Sequence, residues 1–115
     1  MNTYKAPLAD IRFVLFDVLQ SEQSFARLGF HDANRELVDA ILEESARFTE
    51  TVIAPLNHTG DEDGCTLDVQ TGKVTTPPGF KEAYAQFAEN GWCGLVSPVE
   101  FGGQGMPHTV GVPVK

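Results

Sequence analysis

Apolar residues near the start of the chain recur at Leu8, Ile11, Leu15, Val18 and Leu19, the three-and-four spacing of one helical face. This predicts a helix over about Pro7 to Leu19, with Pro7 tolerated in the first turn because an N–H there has no intrahelical partner to lose. Phe13, Val14 and Phe16 fall off that stripe. The segment is therefore apolar around most of its circumference and calls for cover on more than one side. After a polar break, Leu37, Val38, Ile41, Phe48 and Val52 form a second stripe of helical period, with Arg35, Glu36, Asp39, Glu43, Glu44, Arg47 and Glu50 opposite. They predict the longest helix, about Ala33 to Ile53, capped by Asp32 and stopped by Pro55, whose ring blocks the next helical bond.

The stretch from Asn57 to Pro78 reads as turn chemistry, punctuated by Gly60, Gly64, Gly72, Pro77 and Pro78. Within it, Thr66–Val69 and Lys73–Thr75 alternate around Thr71–Gly72 and predict a short β-hairpin. Phe80, Tyr84, Phe87 and Ala88 then predict a helix that starts near Pro78 and stops at Asn90–Gly91. From Trp92 onward the chain is rich in glycine and proline. The expected fold class is mostly α: a partial antiparallel helical bundle with an irregular Gly/Pro-rich C-terminal tail and one short β-hairpin. Residues 1–30 are expected to form a leading helical segment, and 31–115 a helical domain.

Charge narrows the function. Sixteen acidic residues against eight basic ones give a net charge of −8, and with no basic stripe to offset it a phosphate backbone would be repelled. Nothing approaches the ~20 apolar residues of a membrane span, and the N-terminus lacks the order of features of a signal peptide. Two cysteines, Cys65 and Cys93, are too few for a disulfide framework and fit reduced thiols in the cytoplasm.

Tests for a self-contained active site fail one by one. Cys65, Cys93, His31, His58 and His108 show no metal-ligand spacing. The acidic run before Gly64 resembles a calcium loop, yet its first and last ligand positions are Thr59 and Gln70, where the last should be a bidentate Glu. Gly102-Gly103-Gln104-Gly105 lacks the Lys-Ser/Thr ending of a Walker loop, and His108 stands where a dinucleotide fingerprint needs its third glycine. That run reads as a tight turn. Ser97 precedes Pro98 outside any nucleophile elbow, and the three histidines read as surface residues.

One segment is distinctive. Gly91-Trp92-Cys93-Gly94-Leu95-Val96-Ser97-Pro98-Val99-Glu100-Phe101-Gly102-Gly103-Gln104-Gly105-Met106-Pro107 resembles the N-terminal domain of flavin-dependent acyl-CoA dehydrogenases, where a helix ends in Gly-Trp and an acidic-aromatic-Gly-Gly-x-Gly turn follows. Val99 departs from the acidic or polar residue common there. Tyr4 to Leu15 resembles the extra leading segment of the large-subunit branch that includes methylmercaptopropionyl-CoA dehydrogenases. Ile53-Ala54-Pro55-Leu56-Asn57, Gly60-Asp61, Gly64-Cys65 and Pro78-Gly79-Phe80-Lys81-Glu82-Ala83-Tyr84 fit the same branch.

The resemblance implies an FAD-dependent oxidoreductase of fatty acid metabolism. In that family a glutamate removes the α-proton of an acyl-CoA thioester while the β-hydrogen leaves as hydride to the flavin. It also implies an electron-transfer partner and homo-oligomers for the complete enzyme. The family's flavin contacts and catalytic glutamate lie in later regions, so no catalytic, cofactor-binding or metal residue is carried onto this chain. Glu100 belongs to the turn. The matching positions are expected to be scaffold: Trp92 a buried anchor, Gly91 a helix terminator, Gly102, Gly103 and Gly105 turn formers. The expectation is an incomplete N-terminal domain that is inactive by itself. The alternative is a stand-alone acidic helical module that binds a protein partner through its apolar first helix.

Overall fold

The computed structural model describes residues 4–115. Helix α1 (Leu8–Arg12) continues into a π-helical turn over Phe13–Val18, where Leu19 N–H reaches back to Val14 O at 2.9 Å. Gln20 then takes a left-handed conformation (φ 49) and starts α2 (Ser21–Arg27) inside what the sequence suggests is a polar break. Only Phe25 and Ser21 of α2 are buried, so one anchoring aromatic holds it and no periodic stripe announces it.

Helix α3 (Arg35–Phe48) is capped by Asn34, whose side chain accepts from Leu37 N–H at 2.9 Å; Asp32 is not the cap. The entry point is moved by Ala33, which is buried just before the cap. Val38 and Phe48 face inward as expected and Leu42, outside the expected stripe, joins them, whereas Leu37 stays 38% exposed.

Pro55 does not end the helical path. A π-helical turn over Thr49–Ile53 closes Ala54 N–H onto Thr49 O at 2.7 Å, and Pro55 becomes the first residue of α4 (Pro55–Asp63). A proline that stops one helix can open the next, because first-turn N–H groups need no partner. The stretch read as turns from Asn57 is thus helical to Asp63. The hairpin is present: β1 (Thr66–Leu67) pairs antiparallel with β2 (Val74–Thr75), Thr66 opposite Thr75 and Leu67 opposite Val74. Its turn is held by the Asp68 carboxylate, which accepts from Gln70 N–H at 2.9 Å and thereby lowers its own pKa.

Helix α5 (Phe80–Glu89) starts from Gly79 and ends where Gly91 turns left-handed. The tail forms single 3-10 turns at Trp92–Gly94 and Val99–Phe101 and a short helix α6 (His108–Gly111).

The core joins both ends of the chain. Leu15, Phe16 and Phe25 from the leading segment pack with Ala33, Val38 and Leu42, and Val110 of α6 completes the cluster. Phe16 is therefore covered from within, its ring lying 4.4 Å beneath the Arg35 guanidinium. Carboxylates of α3 fasten the leading segment from outside. Arg12 donates to Asp39 at 2.5 Å and to Glu43 at 2.6 Å, and the Glu50 carboxylate accepts from Ala6 N–H at 2.9 Å.

The result is a slab of 56 × 36 × 17 Å with a radius of gyration of 17.3 Å, against about 13 Å for a compact domain of this length. It exposes 8161 Å², where a closed monomer of this mass would expose about 6,200 Å². The surplus is a property of the surface that the next elements build.

Candidate functional site

The end of α3, the start of α4 and α5 enclose an apolar groove of about 500 Å³, walled by Ile53, Leu56, Phe80, Ala83, Tyr84 and Phe87. Two features set its shape. The wide Thr49–Ile53 turn aims Ile53 and Leu56 at α5. Gly60 then allows the Phe80 ring to lie against α4, where a Cβ would meet Phe80 Cζ at 2.5 Å. Phe87 of this wall also contacts Phe48, their ring centroids 6.2 Å apart. The lining is mostly apolar, with Tyr4, Thr49, Asn57 and Tyr84 as its polar members.

A second groove of about 430 Å³ runs between α1 and α6, lined by Ile11, Val14, Leu15, Leu19, Val112 and Pro113. Of the apolar residues the sequence places off the α1 stripe, Val14 lines it. Val14 is 47% exposed, and Phe13 nearby is 58% exposed. Such contiguous apolar surface marks a contact face.

The Gly-rich turn is closed by its own backbone. Gly103 N–H donates to Pro98 O, Gln104 N–H to Gly94 O, Gly105 N–H to Ser97 O and Met106 N–H to Leu95 O, all within 3.0 Å. Gln104 Nε2 also donates to Gly91 O at 3.0 Å. These N–H groups have no free run to offer a phosphate, so the turn does not fit a flavin pyrophosphate. It instead holds Val99 (71% exposed) and Phe101 (80% exposed) out at its tip. Gly103 is packed so closely that a Cβ would come within 2.1 Å of Ser97 O.

Trp92 is half-buried, less than a fully buried anchor. Its indole Nε1 is buried and has no hydrogen-bond partner, a state that costs about 1–3 kcal/mol if left uncompensated. It lines a smaller cavity of about 180 Å³ with Ser45, Phe48, Phe87, Val114 and Lys115.

The residues weighed for catalysis do not converge. His31 and His108 are exposed, and His58 pairs with Glu62 at 3.3 Å on α4. Cys65 and Cys93 are exposed free thiols, and Glu100 is exposed on the turn. Among the described residues no three His, Cys, Asp or Glu side chains gather as metal ligands, and no helix is long and apolar enough to cross a membrane. Sequence reasoning missed the α4–α5 groove because it read residues from Asn57 onward as turns. The signal was there: Ile53, Leu56 and Gly60 continue the three-and-four spacing through Pro55.

The sequence aligns with two curated proteins. It is 40% identical over 109 residues, 95% of this chain, to 3-methylmercaptopropionyl-CoA dehydrogenase of Ruegeria pomeroyi. It is 28% identical over 110 residues to the broad-specificity linear acyl-CoA dehydrogenase FadE5 of Mycobacterium tuberculosis. The chain is homologous to acyl-CoA dehydrogenases. The reading of its motifs as an acyl-CoA dehydrogenase N-terminal sequence is borne out. The chain spans 18% of the length of each relative, and no family model matches it. For a chain that spans so little of its relatives, two open apolar grooves and a buried indole N–H without a partner among the described residues are the features that need explaining.

Proposed function

We propose that this chain is the N-terminal scaffold of an FAD-dependent acyl-CoA dehydrogenase that introduces an α,β double bond into an acyl-CoA thioester. Its own residues contribute packing surface. The observation that carries the reading is alignment over 95% of the chain with dehydrogenases of which it spans 18%. The open, mostly apolar grooves agree with it, since such walls suit packing against neighbouring protein. Within the complete enzyme the Gly-rich turn fixes where Val99 and Phe101 meet the adjoining region. The clamp of Arg12 on Asp39 and Glu43 sets the leading segment against α3. An acyl-CoA substrate, an electron-transfer partner, a homo-oligomeric assembly and a cytoplasmic location complete the proposal.

Two preparations test it. The 115-residue chain should be colourless and inactive toward any acyl-CoA, while the polypeptide that extends it to the relatives' length should bind FAD and desaturate an acyl-CoA with an artificial electron acceptor. A yellow, active 115-residue chain, or a full-length protein without flavin, would refute it. A second reading, the stand-alone module, draws on the exposed Phe13 and Val14. It requires the 115-residue chain to form a discrete complex through α1, which Val14→Glu should abolish.

A further inference from the structure

We infer that residues 4–12 are a strap latched by Glu50, and that its tip, Tyr4, is the partition between the α4–α5 groove and the seam beneath α1. Releasing the latch joins the two spaces while the core stays folded. The device lies wholly within this chain and does not depend on the dehydrogenase reading.

The strap is fastened by charge more than by packing. Helix α1 buries none of its residues, and Leu8 and Ile11 lean only partly buried against the core. A row of carboxylates does the rest. Arg12 bonds Asp39 and Glu43, while Glu50 accepts from Ala6 N–H at 2.9 Å and from Lys5 Nζ at 3.3 Å. Steps of four and seven residues keep the three acids on one helix face. The strap therefore runs antiparallel to α3, with Arg12 at its fixed end and Glu50 holding the tip.

The seam beneath it is not filled. A cavity of about 40 Å³ lies between Ala6, Leu8 and Ile11 of the strap and Leu42 and Ala46 of α3. Tyr4 and Thr49 line both this cavity and the large groove, so Tyr4 stands at the boundary between them. Burial along the leading segment begins at Leu15, so the strap can lift without withdrawing a core residue. A five-residue helix is also too short to hold itself. Once unlatched it opens as a local unit, at less cost than global unfolding.

Hydrogen exchange read by mass spectrometry tests the latch in the full-length polypeptide that carries this chain. Glu50→Ala should speed exchange over residues 4–12 by about three- to tenfold, while segments around Phe16 and Val38 keep their protection. Glu50→Gln should do less, because its amide oxygen still accepts but without charge. Glu44→Ala is the control: Glu44 pairs with Arg47 of α3 itself, and its loss should leave the strap unmoved. A thiol reads the seam. Ala46 is 7% exposed, and Ala46→Cys, with Cys65→Ser and Cys93→Ser, should react faster with a thiol reagent once Glu50→Ala is added. Tyr4→Ala should quicken that reaction too, while Ala6 N–H keeps its protection because Glu50 still holds it. Unchanged exchange over residues 4–12 in Glu50→Ala overturns the inference. Equal loss of protection in strap and core also overturns it, by making Glu50 a support of the whole fold. A Tyr4→Ala variant whose reporter thiol stays slow overturns the partition.

Discussion

Replacing Gly103 by alanine should damage this fold more than the same change one residue earlier. At Gly103 a Cβ would stand 2.1 Å from Ser97 O and 2.4 Å from its carbonyl carbon. The obstacle is backbone, so no flexible side chain can swing away. The Ser97 carbonyl also accepts from Gly105 N–H at 2.9 Å, and Gly103 N–H itself donates to Pro98 O at 3.0 Å. Moving the two strands of the turn apart by about 1 Å would weaken both bonds, each worth about 1 kcal/mol net. Overpacking strain adds about 1–3 kcal/mol. Lost freedom of the unfolded chain returns only about 0.4–1 kcal/mol, so the balance is a loss of about 3 kcal/mol. Gly102 is the internal control. It adopts φ +85 with nothing within 4 Å of a built Cβ, so Gly102→Ala meets only the left-handed backbone cost of about 1–2 kcal/mol. At about 4–8 °C per kcal/mol for a domain near this size, the thermal unfolding midpoint followed at 222 nm should fall by about 15 °C for Gly103→Ala and by about half of that for Gly102→Ala. Equal losses, or a larger loss at Gly102, would refute the packing argument.

Other expectations follow from the same contacts. Asn34→Ala should lower stability by about 1 kcal/mol through loss of the α3 cap, whereas Asp32→Ala should leave the urea midpoint almost unmoved. Arg12→Met should cost no more than about 1 kcal/mol, since its carboxylate partners are partly exposed, and the loss should shrink in high salt. The Glu50 carboxylate is held below its usual 4.5, chiefly by Ala6 N–H and then by Lys5. Its contribution is therefore present above that pH and disappears as pH falls through the lowered value; denaturant midpoints between pH 6 and 3 should drop less in Glu50→Gln. Cys65 and Cys93 are exposed, so both thiols should react with a disulfide reagent in the native chain without denaturant.

The helices that bury a regular stripe were legible in the sequence. Val38, Ile41 and Phe48 announce α3, and the spacing of Phe80, Tyr84 and Phe87 announces α5, although Leu42 and Ala83, outside those stripes, are among the buried residues there. The hairpin was legible from the alternation on either side of Thr71–Gly72. Helix α2 was not, because a single buried Phe25 gives no period to detect. Nor was α4, because proline and glycine within it suggest breaks, while the π-turn before Pro55 and the close approach at Gly60 give both residues a place in a helix. The scaffold reading of the glycine turn came from a family motif; its closed hydrogen bonds are visible only in three dimensions.

The widened turn at Thr49–Ile53 also sets a phase. Each residue in a helix rotates the chain by about 100°, so removing one residue from this turn would spin everything after it by roughly that angle. Leu56, which now lies against Gly79, would swing away from it, and Ile53 would leave the wall it shares with Phe87. A single-residue deletion here would thus preserve helix content while unpairing α4 from α5, and the chain's tolerance to length changes should be lowest where its spectrum would reveal least.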